Sequence, residues 1–192
     1  MNKVPIIGRK RKLQIIDRFI DVMLTRESFL LAGHRNPDED CVASLVAFSL
    51  LLGKFNKQNA VVLNRDNWAK YPYLLNICKY NSIRVIGSAD EIGSGYDTLI
   101  AFDTPKPEML DFKKTLDVLM EKDDVLVLEI DHHLEADGTY IGDEGYRLVD
   151  RTKLRLKMSL LPSVRIRFFF FSIFTARYPM SSQVEEASST NR

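Results

Sequence analysis

Along the chain, two kinds of hydrophobic spacing take turns. Leu13, Ile16, Phe19, Ile20, Met23 and Leu24 recur at the three-to-four residue interval of a helix with one apolar face, which predicts an amphipathic helix from about Arg9 to Arg26. An apolar run, Ser28 to Gly33, follows at once and reads as a buried strand. The exchange then repeats: helix Cys41 to Phe55, strand Ala60 to Asn64, helix Tyr71 to Tyr80, short strand Ser82 to Ile86, then strands Asp97 to Phe102 and Val125 to Ile130. Between the last two, Pro107 opens a helix running to about Glu121, at a position where proline's missing N–H costs nothing. Strands alternating with helices need crossover connections, so the pattern predicts an α/β fold: a parallel β-sheet flanked by helices.

The polar residues that punctuate this pattern carry the chemistry. In a parallel sheet the loops at the carboxyl ends of neighbouring strands converge on one crevice. All three histidines lie in such loops: His34, with Asp38 and Asp40, in HRNPDED after the first strand, and His132 and His133 in IDHH after Val125 to Ile130. Pro37 favours an extended or turned backbone ahead of the two acids. By itself HRNPDED reads equally well as a solvated acidic loop. Asp103 closes the run Thr98 to Phe102, where a lone aspartate is more often a helix cap than a ligand. Two adjacent histidines after aliphatic residues resist explanation as core packing. Asp150 ends a further short apolar run. Carboxylates clustered at one crevice raise one another's pKa, so divalent cations are their natural neutralising partners, two rather than one. Carboxylate and imidazole donors without thiolate suit Mn²⁺, and Mg²⁺ less readily, better than a structural zinc.

The order His34-x-x-x-Asp38-x-Asp40, Asp103, Asp131-His132-His133 and Asp150 resembles the four motifs of the DHH phosphoesterase family, over roughly residues 28–150. That family includes RecJ-type exonucleases, bacterial oligoribonucleases that also dephosphorylate phosphoadenosine phosphate, cyclic dinucleotide phosphodiesterases and manganese-dependent inorganic pyrophosphatases. The resemblance implies that His34 and Asp38 bind one metal, that Asp40, His132 and Asp150 bind a second, and that Asp103 bridges both. It also implies that Asp131 orients a histidine and that His133 faces the phosphate, so that His133 and Asp103 are the implied catalytic residues. Ser44 matches the family's serine in the following helix, whereas Ala43 stands where glycine is usual. The implied activity is hydrolysis of phosphodiester or phosphomonoester bonds in short oligonucleotides or nucleotide phosphates. The helix preceding the first strand favours the oligoribonuclease-like branch. A manganese-dependent pyrophosphatase and a non-catalytic metal- or nucleotide-binding remnant are the alternatives.

Composition adds a boundary. The 45% hydrophobic and 28% charged content is ordinary for a chain with one buried core. Residues 1–150 carry 19 Lys+Arg against 24 Asp+Glu, whereas 151–192 carry 8 against 2 and contain neither glycine nor aspartate. The expected division is therefore a catalytic domain, 1–150, and an atypical basic and aromatic tail, 151–192. Family members continue with small residues such as Ala-Ser-Ser-Thr and then a linker and a substrate-gripping domain. Here Arg151 to Arg177 holds seven Lys+Arg and the tetrad Phe168 to Phe171, and a stretch resembling that continuation, Glu186-Ala187-Ser188-Ser189-Thr190, comes late. Residues 151–185 are thus expected to interrupt the normal sequence, and the second domain to be absent. The rival readings of the tail are a surface for lipid or nucleic acid and an aggregation-prone extension.

Cys41 and Cys78 sit within apolar patterns, without the spacing of a thiolate metal site or the number of a disulfide framework, which predicts a reducing, cytoplasmic setting. No apolar stretch approaches the ~20 residues of a spanning helix, and the basic N-terminus leads into an amphipathic segment rather than a signal peptide. The expected partner is the oligonucleotide or nucleotide substrate, with a homodimer one option for assembly.

Overall fold

In the computed structural model, which describes residues 8–133 and 139–149, six segments take strand geometry. These are β1 (Ser28–Ala32), β2 (Gln58–Val62), β3 (Arg84–Ile86), β4 (Thr98–Phe102), β5 (Leu126–Asp131) and β6 (Arg147–Val149). They form one sheet in the order β3-β2-β1-β4-β5-β6, with every neighbouring pair parallel. Helix α1 (Arg9–Thr25) precedes β1, and α2 (Glu39–Lys54), α3 (Pro72–Tyr80) and α4 (Lys113–Met120) lie in the connections β1–β2, β2–β3 and β4–β5. The chain is thus an α/β protein with a parallel sheet flanked by helices, as the alternation of periods predicts.

The central strands are buried on both faces, which is why they read as unbroken apolar runs. Successive side chains leave a strand on opposite sides. Leu30, Ala32, Leu99, Ala101 and Val127 share one cluster with Leu116 and Leu119 of α4. On the other face Phe102 meets Phe48 of α2 edge to face, with ring centroids 5.3 Å apart. The order reverses at the centre of the sheet: the chain builds outward from β1 through β2 to β3, then returns to lay β4 on the opposite side of β1. Such a switch point leaves a crevice beyond the carboxyl ends of the two adjacent strands. Asp38 caps α2, its carboxylate accepting from the Cys41 N–H at 2.9 Å, which stands that helix's positive pole next to the crevice.

The structure departs from the pattern between β4 and β5. Instead of one helix from Pro107 to Glu121, a 3-10 turn covers Pro107–Met109 and α4 begins only at Lys113, after Phe112 at φ +48°. Tertiary hydrogen bonds outweigh the helical period here. Leu110 forms an antiparallel bridge with His34, and the Asp111 N–H donates to Gly33 O at 3.0 Å. The buried Asp111 carboxylate accepts from the N–H groups of Asn64 and Phe112, at 3.2 and 3.0 Å. A second 3-10 turn, Arg65–Lys70, was not expected; the Trp68 indole secures it by donating to Leu63 O at 2.8 Å.

Beyond β5 the buried Glu129 carboxylate accepts from the N–H groups of Ile141 and Gly142, at 3.1 and 3.0 Å, fastening that segment before it enters β6. The expected boundary at 150 and the whole tail lie outside the described residues. Among the described residues no helix is long and apolar enough to cross a membrane.

Candidate metal centre

The switch-point crevice gathers donor groups from three strand ends. His34 follows β1, Asp103 directly follows β4, and Asp131 closes β5 ahead of His132 and His133. Donor atoms of Asp103, Asp131, His132 and His133 all lie within 4.8 Å of one another, and so do those of His34, Cys41 and Asp103. Asp103 is common to both groups.

Asp103 is held in an unusual state. Its φ of +48° is left-handed, a conformation that costs a residue other than glycine on the order of 1 kcal/mol or more. The backbone enforces it, with the Asp103 N–H donating to Ile130 O at 2.9 Å. Only 8% of the residue is exposed. Its Oδ1 stands 2.9 Å from His132 Nδ1, an ion pair when that ring is protonated, and 3.4 Å from His133 Nδ1, and the atom is buried without a partner of hydrogen-bond geometry. A buried acceptor of this kind is destabilising unless a cation satisfies it, which a protonated imidazole or a bound metal ion would do. Donor atoms ranged around one divalent ion at about 2.1 Å sit roughly 3 Å apart, and the 2.9 Å between this oxygen and His132 Nδ1 fits a metal.

Asp131 shapes the loop that follows. Its buried Oδ1 accepts from the N–H groups of His132 and His133, at 2.6 and 3.0 Å, and lies 2.8 Å from His133 Nδ1. The two imidazoles lie 4.0 Å apart, tilted by 33°. Charge follows this geometry. Burial pushes the Asp103 carboxyl up, but His132, His133 and His34 together outweigh it and hold it below the usual range. The nearby Asp103 carboxylate raises His132 against its burial, with Asp131 and Asp40 adding to the effect. Burial first, then Asp103, pushes the Cys41 thiol up.

The remaining predicted ligands are placed less closely. Asp38 and Asp40 stand at the N-terminus of α2, where Asp38 spends one oxygen on the cap, its charge reaching Cys41, and the charge of Asp40 reaches His132. Neither belongs to the two close groups among the described residues. Ser44 donates to Asp40 O at 2.8 Å, within the helix. Asp150 lies outside the described residues.

Several supporting residues escape the sequence pattern. The buried Asn67 donates from Nδ2 to Arg35 O at 3.2 Å, and the Tyr71 hydroxyl donates to Pro37 O at 2.5 Å. With Asp111 they tether the loop bearing His34, from positions more than thirty residues away in sequence. Cys41 fits the apolar period of α2 and lacks the sequence spacing of a thiolate metal site. The signal in its favour is its place: it directly follows Asp40, in the first turn of that helix.

Comparison with known proteins adds the lineage. No curated protein matches the chain. Among solved structures it is similar to an exopolyphosphatase-related protein from Bacteroides fragilis, at 15% identity over 79% of this chain and 41% of that one, with a TM-score of 0.47. The chain therefore spans less than half the length of that protein. The sequence profile described as the DHH family, N-terminal domain, matches residues 28–149, from the start of β1 to the end of β6. Since that match covers well over half of the chain and includes every donor gathered in the crevice, the chain belongs to the DHH family.

Proposed function

We propose that this chain is the catalytic part of a metal-dependent phosphoesterase that hydrolyses phosphodiester or phosphomonoester bonds of short oligonucleotides or nucleotide phosphates. One observation carries the reading: the Asp103 Oδ1, buried without a hydrogen bond and facing two imidazoles at the switch-point crevice. DHH membership supports it. In this reading His34 and Asp38 hold one ion, Asp40, His132 and Asp150 a second, and Asp103 is shared. Mn²⁺ suits the carboxylate and imidazole donors best, with Mg²⁺ second. When bound, the ions supply the Lewis acidity that activates a water and neutralises charge on the phosphoryl group.

The chain's own groups do the positioning. Asp131 engages Nδ1 of His133 and so leaves Nε2 as the ring nitrogen available to a phosphate oxygen. The N-terminal pole of α2 adds a fixed positive potential for an anionic substrate.

The test is hydrolysis by the Mn²⁺-loaded protein of a short oligoribonucleotide, phosphoadenosine phosphate, a cyclic dinucleotide and pyrophosphate, with Asp103→Ala as control. Turnover of the oligoribonucleotide or phosphoadenosine phosphate is expected, falling about a hundredfold or more in the control. Turnover of pyrophosphate alone moves the assignment to an inorganic pyrophosphatase. Mn²⁺ uptake without turnover of any substrate leaves a binding module.

A further inference from the structure

The crevice contains a donor of a different chemical kind. Cys41, with none of its surface exposed, brings Sγ to within 4.8 Å of ligand atoms of His34 and Asp103. Two features of the backbone put it there. The Asp38 cap fixes the Cys41 N–H in the first turn of α2, and the end of β1 runs into Gly33, where a Cβ would come within 2.4 Å of the sulfur. Only the absence of a side chain at Gly33 lets the thiol reach this position. The thiol also makes a long hydrogen bond, donated to Phe102 O at 3.9 Å.

A cysteine used for packing sits among carbon atoms. This one faces an imidazole and shares its neighbourhood with the Asp103 carboxylate, whose Oδ1 is buried without a hydrogen bond. His34, Cys41 and Asp103 offer three donors of three types close enough to share one ion, and thiolate is the ligand that selects softer cations over Mn²⁺ and Mg²⁺.

We propose that Cys41 is a thiolate ligand to the ion held by His34 and Asp103, so that this one of the two positions takes a thiophilic divalent cation such as Zn²⁺, Co²⁺ or Cd²⁺ in preference to Mn²⁺. The proposal rests on the metal-centre reading above and refines it. Coordination breaks the S–H bond, forms a sulfur–metal bond and releases one proton to solvent, with no change of oxidation state.

Titrating Co²⁺ into the full chain and recording absorption separates the two readings. Imidazole and carboxylate ligands alone give visible d–d bands; a thiolate ligand adds a near-ultraviolet sulfur-to-cobalt charge-transfer band that saturates with them. Both are expected in the wild type. Cys41→Ser and Cys41→Ala are expected to keep the visible bands, lose the charge-transfer band and bind Co²⁺ about tenfold or more weakly. Visible bands without charge transfer in the wild type overturn the thiolate assignment and leave the phosphoesterase reading intact. Absence of Co²⁺ uptake overturns both. If neither variant folds, the sulfur-to-cadmium charge-transfer band of the wild type titrated with Cd²⁺ decides by its presence or absence.

Discussion

Gly33 and Cys41 show how closely two residues can be fitted without any polar bond between them. A methyl group at position 33 meets Cys41 Sγ at 2.4 Å, while its other neighbours, Phe102 O and Leu45 Cδ1, lie at ordinary contact distances of 3.5 and 3.6 Å. Gly33→Ala is therefore expected to cost about 1–3 kcal/mol in urea unfolding. In a Cys41→Ala background the same change is expected to be nearly neutral; an additive double mutant would show that the sulfur is not what crowds the site. This pairing also marks a limit of reading by pattern. His34, His132 and His133 are polar residues interrupting apolar runs, which suggests one crevice, whereas Asp103 by pattern alone reads as a helix cap and joins them only through the resemblance. Cys41 satisfies the helical apolar period as well as it satisfies the metal geometry, so its period could not tell the two apart. Asn67 and Tyr71 act through contacts with backbone carbonyls at Arg35 and Pro37, a kind of partnership that leaves no spacing signature.

At the scale of elements, α2 makes double use of one acid. Asp38→Ala removes the cap and is expected to destabilise the metal-free protein by about 1 kcal/mol, whereas Asp38→Asn keeps a capping oxygen and is expected to fall within a few tenths of the wild type. In the proposed centre both lose affinity for Mn²⁺, so calorimetric titration alongside urea melts separates cap from charge. The fastening of β5 to the segment before β6 adds a pH dependence. Burial pushes the Glu129 carboxyl above its ordinary value, against the pull of the Gly142 and Ile141 N–H groups. A carboxyl raised by folding adds stability that is complete below its unfolded pKa and is lost as pH rises through the folded value. Glu129→Gln is thus expected to flatten the decline in stability from acid to neutral pH, measured as urea midpoints across that range; a steeper decline than wild type would refute it. Elements themselves were legible where local period and tertiary demand agree, as in α1, α2 and β4. They were not legible at 107–112, where the bonds from Asp111 to Gly33, Asn64 and Phe112 override a sequence that spaces its residues for a helix. β6 is three residues long and its fastening lies in β5, so only an apolar run announced it.

Across the whole molecule, the proposed centre draws on strand ends that meet only in the folded chain, so an ion bound there would stabilise the fold by mass action. Mn²⁺ at a hundred times its dissociation constant is expected to contribute about 2.7 kcal/mol. For a chain of this size that raises the thermal midpoint by about 5–10 °C, reversed by a chelator and absent in Asp103→Ala. An unchanged midpoint would argue against a centre that spans β1, β4 and β5. The parallel sheet was legible from the alternation of periods, but its order was not, because no local spacing tells β4 to pass β2 and β3 and settle beside β1. That choice has a price during synthesis. β1 leaves the ribosome roughly 65 residues before β4, which at about 5–20 residues per second is a delay of roughly 3–13 s. Throughout it, a fully apolar strand edge, Phe29 to Ala32, stands without its second neighbour. Slowing translation between codons 33 and 97 is therefore expected to lengthen the exposure of that edge and to raise the aggregated fraction.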